Sequence, residues 1–370
     1  MGKTQLVNHF TKSLIKEEKR KNKVSAQQIT NTLITAAISL AFVNESCKST
    51  GMVSKSQVIY RKLEGKTIEE VQMYCREVNI QFLKMLKLYS RNRRFLLSFD
   101  LTEEVFYGDI SKAEDKLFLH PGSIARGSDY YYKYLTVSIT CISWMNYILD
   151  GMIIPMGWYV EDVVYEITKF LLNHLTVEMV LFDRGFDSWG IIHKIKQLPV
   201  RYLIFWKKQG DWYKELLDKI KDGECTTIVH QGIYNRGKSP IQVCSQFVLI
   251  KQLEYEGETY DWLFATNLYK NTATSYVKRY KKRWAIETIF RVVDDIRIYT
   301  TSTNALIRYF LFMFTCLVYN IWKFFQLFLG ESFTLSNMKV CMIIFMAKQG
   351  MIYPVHYDKF EKIAKRFFNV

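Results

Sequence analysis

Between Phe95 and Trp206 short apolar runs alternate with helical stretches, and that order confines the chain to an α/β domain built on a mixed sheet. FLLSFD (95–100) is a compact apolar run, and YLTVSITCISW (134–144) is rich in β-branched and aromatic residues. LDGMIIPMGWYV follows, then a helical stretch near 161–174, a strand MVLFD (179–183), a helix DSWGIIHKIKQL (187–198) and a strand RYLIFW (201–206). Residues 208–267 read as a β-rich insertion, with a short helix, the segments TTIVHQGIY, IQVCSQFVLIKQL and TYDWLFATNL, and turn signals such as NRGKSP.

Helical periodicity frames this region on both sides. Residues 1–92 form a helical domain, with apolar positions at three- and four-residue intervals in 26–45 and 67–90. Basic runs lie beside those helices at 16–23, 48–56 and 91–94, which suits either DNA binding or a solvated face. Beyond the insertion the helices 272–296, 304–329 and 334–348 lead to a basic tail ending KIAKRFFNV. The expected division is 1–92, a catalytic domain over 93–330, and a C-terminal helical segment over 331–370.

Composition narrows the partners. With 49% hydrophobic residues the chain can bury a large core, so wholesale disorder is excluded. The formal charge of +15 favours a polyanion, whose phosphates release counterions as basic side chains dock. Seven scattered cysteines form no CxxC pair, so neither a disulfide framework nor a zinc site is expected. The N-terminus lacks the apolar core of a secretory signal. The fourteen uncharged residues of YFLFMFTCLVYNIW (309–322) fall short of the roughly 20 that span a bilayer. A buried core helix and no membrane is the expectation there, with the cytoplasm and its nucleoid DNA as the place of work.

Two acids stand at apparent strand ends: Asp100 closes FLLSFD and Asp183 closes MVLFD. Functional groups of open α/β sheets gather beyond the carboxyl ends of strands, and paired carboxylates suit hard divalent cations. The glycine of DRGF is expected to turn the chain sharply and leave Asp183 exposed. A third acid lies in YKKRWAIETIFRVVDD. Drawn as one continuous helix, it places Tyr280, Arg283, Glu287, Arg291 and Asp294 on a single stripe, with Trp284, Ala285 and Ile289 opposite.

These motifs, in this order, resemble the insertion-sequence DDE transposases with a Tyr-Arg-Glu-Lys signature: Asp in FDLTEEVFYGD, Asp in LFDRGF, and Y-x2-R-x3-E in the late helix. The resemblance covers roughly residues 95–325 and implies a ribonuclease-H-like fold. It further implies that Asp100, Asp183 and Glu287 hold two Mg²⁺ ions, for which Mn²⁺ substitutes, and that the chain cuts and joins double-stranded DNA at element ends and target, as a homodimer. Tyr280, Arg283, Arg291 and Arg184 are then expected to contact DNA, and Trp206 and Trp212 to stack on an unpaired base. One departure stands out: Asp294 occupies the position where the signature has Lys.

Overall fold

The computed structural model describes residues 24–89, 94–142, 145–237, 239–269 and 271–348. The basic run at 16–23, most of that at 91–94 and the basic tail lie outside them. Two compact units emerge: one comprises residues 90–107 and 117–289, the other residues 1–89, 108–116 and 290–370.

The first unit is organised by its sheet. Strands β1 (Phe95–Phe106), β2 (His120–Pro121), β3 (Tyr130–Ile142), β4 (Met145–Ile153), β5 (Val177–Phe182), β6 (Arg201–Phe205), β7 (Cys225–Tyr234), β8 (Ile241–Tyr255) and β9 (Glu258–Thr266) run in the order β2-β3-β1-β5-β6-β9-β8-β7, with β4 also paired to β3. β1, β5 and β6 are mutually parallel, while β3 runs antiparallel to β1. This is the mixed α/β sheet the sequence predicts. The β-rich segment does not stand apart from it, because β9 pairs antiparallel with β6 and so extends the same sheet.

β1 departs from expectation. It continues six residues past Asp100, to Phe106, paired with β3 throughout. The parallel ladder with β5 stops at Ser98 opposite Leu181. Asp100 is therefore a mid-strand residue, braced on its β3 side by Thr136 and open beyond the last parallel rung. The apolar run ends where two-sided burial ends, which is why it reads as a strand end.

The remaining elements of this unit are α5 (Val160–Leu172), α6 (Trp189–Ile195), α7 (Asp211–Leu217) and α8 (Ala273–Lys281), after the four N-terminal helices given below. α8 lays Tyr276, Val277 and Tyr280 into a cluster with Leu96, Leu181, Phe205, Trp262 and Phe264. Burying side chains of this size contributes about 1.5–3 kcal/mol each. That packing fixes which side of α8 faces the sheet.

The second unit is helical: α1 (Ala26–Ser39), α2 (Val43–Thr50), α3 (Ser56–Tyr60), α4 (Ile68–Tyr89), α10 (Ala305–Leu329) and α11 (Leu335–Lys348). Ser25 opens α1 with a reciprocal capping box, accepting from the Gln28 amide while its own amide donates to the Gln28 side chain. α10 is 25 residues long, far beyond its most apolar run, and is long and apolar enough by length and composition to cross a membrane. Most of its most apolar window is buried inside the protein, and the Asn320 amide donates to Asn79 of α4. Helix α9 (Ala285–Asp294) carries the boundary between the units.

Candidate active site

Phe99 and Phe182 stack at 5.3 Å across neighbouring strands, and the residues that follow them are Asp100 and Asp183. The stack thus sets two carboxylates side by side. Asp183 begins a 3₁₀ turn, Arg184–Phe186, and its Oδ1 accepts from the Gly185 amide at 2.8 Å. Gly185 has no positive φ, so conformational freedom is not its purpose. A Cβ there would stand 3.0 Å from Asp183 Oδ1. The glycine clears room for the carboxylate.

The third acid arrives differently from expectation. α8 ends at Lys281, a 3₁₀ turn occupies Lys282–Trp284, and α9 begins at Ala285. A 3₁₀ turn advances three residues per turn, yet Arg283 still reaches Glu287, so the two keep a shared face. Tyr280 and Arg283 are buried, at 2% and 5% exposure, whereas Glu287 is exposed. Trp284, expected on the opposite side, lines the same cavity as Glu287 and is 43% exposed.

Arg283 stands among all three acids. Its Nη2 donates to Glu287 Oε1 at 2.7 Å, and its Nη1 lies 3.8 Å from Asp100 Oδ1 and 3.7 Å from Asp183 Oδ2. The latter two separations exceed hydrogen-bond length, and buried Nη1 and Nε have no hydrogen-bond partner among the described residues. Charge holds the guanidinium there, without directional bonds. Burial first, then the Asp183 carboxylate, pushes Asp100 up to about 7 despite the opposing Arg283. Burial likewise pushes the Tyr280 phenol up to about 12.

The donor set tests the expected metal. Three carboxylates converging on one poorly bonded cation are hard oxygen ligands with charge to spare, which suits Mg²⁺ or Mn²⁺. Among the described residues no three His, Cys, Asp or Glu side chains form a ready metal-holding group, in keeping with Arg283 standing between these acids. The set fits divalent ions held by pairs of carboxylates once Arg283 yields its place.

A cavity of about 380 Å³ opens beside the triad. Asp183, Arg184, Arg283 and Glu287 line it, together with Phe205, Tyr255, Tyr260, Trp262, Tyr280 and Trp284. Trp206 and Trp212 do not. They pack with Trp189, His230 and Phe247, Trp212 stacking on His230 at 4.5 Å. Arg291 is exposed on α9, and Asp294 at its end pairs with Arg297 at 3.6 Å. Sequence reasoning missed Tyr260, Trp262 and Lys281. Lys281 and Trp284 carried a signal by adjoining the Tyr-Arg motif; the other two become neighbours of the triad through the β6–β9 pairing.

A family profile described as a transposase DDE domain matches residues 162–321. No curated protein matches the chain in sequence. Among solved structures, the fold is similar to that of a piggyBac transposase, determined as a synaptic complex with hairpin DNA. The TM-score is 0.55 at 10% identity, with 91% of this chain and 76% of that chain covered. Residues 162–321 thus resemble a transposase DDE domain, and the chain shares the fold of that solved structure.

Proposed function

We propose that the chain binds the ends of its element, cleaves there with Asp100, Asp183 and Glu287 as the catalytic triad, and joins the freed 3′ hydroxyl to target duplex DNA. The convergence of these three acids on Arg283 is the observation that carries the assignment. Two Mg²⁺ ions would be held by Asp100, Asp183 and Glu287 and would supply activation of the attacking oxygen and neutralisation of the leaving one.

The reaction is a pair of in-line displacements: water frees the 3′ hydroxyl, which then attacks the second phosphodiester. Asp100 has to be ionised to act as a ligand, and its site resists ionisation until positive charge is close. Arg283 supplies part of that charge in the resting chain, and Asp100 still stays at about 7. Freed from its acids, its planar fork can turn to the phosphate undergoing attack. Tyr280 holds the turn bearing Arg283 against the sheet, which is a positioning role in place of the expected phosphate grip. The aromatic cavity walls offer π-faces to an unpaired base, with exposed Trp284 and Tyr260 better placed than Trp206 or Trp212. The N-terminal helices would contact the element's ends and Arg291 a neighbouring phosphate. The working form would be a homodimer on nucleoid DNA in the cytoplasm.

A strand-transfer assay tests this. Supplied with a pre-cut duplex end bearing a free 3′ hydroxyl, Mg²⁺ and a plasmid, the chain should yield joined products. Cleavage without joining would assign a stand-alone nuclease, and DNA binding with neither step a silent descendant of a transposase.

A further inference from the structure

We infer that Arg184 and Tyr260, on the wall of the triad cavity, form with Lys208, which sits over the Tyr260 ring, a phosphate-binding site that holds a backbone phosphate of the DNA strand being cut. The inference rests on the transposase reading and adds Lys208 and Tyr260 to the DNA contact expected of Arg184.

The cations around the cavity are unequally committed. Arg283 is shared among three carboxylates, and Lys281 pairs with Glu256 at 2.8 Å. Arg184 and Lys208 make no ion pair among the described residues, yet both reach the same phenol. Arg184 donates through Nη2 to the Tyr260 hydroxyl, and Lys208 Nζ lies 3.7 Å from the centre of the Tyr260 ring. Two like charges on one side chain repel unless an anion joins them. Glu258 is the other acid that lines the cavity beside Asp183 and Glu287, and it makes no ion pair with either cation among the described residues.

The donors are already aimed. The Arg184 guanidinium carbon sits over the Phe205 ring, 4.2 Å from its centre, so its fork is held before any ligand arrives. Its Nε is buried without a hydrogen-bond partner among the described residues. A cation that merely capped Phe205 would have no reason to bury a donor unsatisfied. Tyr260 accepts from Arg184 and so keeps its own proton to donate to a phosphate oxygen. Burial alone would raise the Tyr260 phenol, but the bond from Arg184 and the charge of Lys208 leave it below its ordinary value, as an environment short of negative charge should. Arg184 directly follows Asp183 in the chain. A phosphate held by it is therefore a near neighbour, along the strand, of the phosphate at the triad.

Fluorescence anisotropy of a labelled duplex with a recessed end, measured with the full chain from about 50 to 200 mM KCl, tests the site. Lys208→Gln and Arg184→Gln should each reduce the log–log salt slope by about 1 and weaken binding about tenfold at the lowest salt. Lys208→Arg should restore both, and melting curves should match wild type. Neutral methylphosphonates placed singly along the duplex should include one position that weakens wild type about tenfold and leaves Lys208→Gln unaffected. Wild-type slope and affinity in both glutamine variants would overturn the site while leaving the transposase reading intact. Absence of salt-dependent DNA binding by the wild-type chain would overturn both.

Discussion

The Arg283 guanidinium donates to the Glu287 carboxylate at 2.7 Å, one helical turn away, and this bond ties the short 3₁₀ turn to the first turn of α9. The same guanidinium is the cation nearest Asp100 and Asp183 among the described residues. It offsets the charge of the three acids, as divalent ions are proposed to do.

Replacing Arg283 by Ala should therefore destabilise the metal-free chain at neutral pH by about 2 kcal/mol, below the 3–5 typical of a fully buried pair because the acids are partly exposed. Mn²⁺ should raise the melting temperature of the variant more than that of wild type, since nothing competes for the carboxylates. Equal Mn²⁺ shifts in the two proteins would show that Arg283 does not stand in the metal's place.

Asp100 makes stability depend on pH in a direction unusual for an acid. Its folded value is about 7 against an ordinary 3.8, so between these values the folded chain keeps a proton that the unfolded chain has lost. Its contribution to stability falls as pH rises through that window. In the absence of metal, Asp100→Asn should melt above wild type near pH 7.5, and the gap should close near pH 4. A gap that widens toward acid would reverse the sign of the argument.

Asp183→Ala should abolish cleavage and joining while leaving the fold intact, because this carboxylate caps a turn just past the end of β5 and fills no core space. Gly185→Ala is the subtler companion. Its Cβ must push Asp183 Oδ1 from a 3.0 Å approach, and displacements of this kind cost on the order of ten- to a hundredfold in rate. Single-turnover cleavage rates read both variants, and an unchanged rate for Gly185→Ala would mean the carboxylate is free to move aside.

Gly232 offers a stability test away from the site. A Cβ at this β7 position would overlap the Trp189 indole, with its nearest approach at 1.9 Å. Gly232→Ala should lower unfolding free energy by about 1–3 kcal/mol, by displacing the indole that packs on Trp206 and Phe247. Urea denaturation followed by tryptophan fluorescence measures it; wild-type stability would show that the indole re-seats without cost.

Periodicity makes the sheet legible from sequence, since β1, β3, β5 and β6 carry short apolar or β-branched runs. The three acids are legible because strand and helix contexts isolate them. What escapes is geometry set by partners distant in sequence. Asp100 reads as a strand end because β5 leaves β1 there, although β3 carries the strand onward. The burial of Tyr280 and Arg283 escapes a helical wheel, because the wheel does not show that α8 packs on the sheet. The aromatic wall is invisible because Tyr260 and Trp262 come alongside Phe205 through the β6–β9 pairing, more than fifty residues on.

That pairing also decides where the sheet stops. Without β9, strand β6 would be an open edge, its unpaired amides and carbonyls one strand from the one leading into Asp183. Open edges recruit foreign strands. By carrying the chain through three further strands, the protein moves its adhesive border to β7 and seals the flank of its chemistry with its own backbone. A shortened chain lacking residues 208–267 would lose more than an accessory: it would expose a self-associating seam beside the triad.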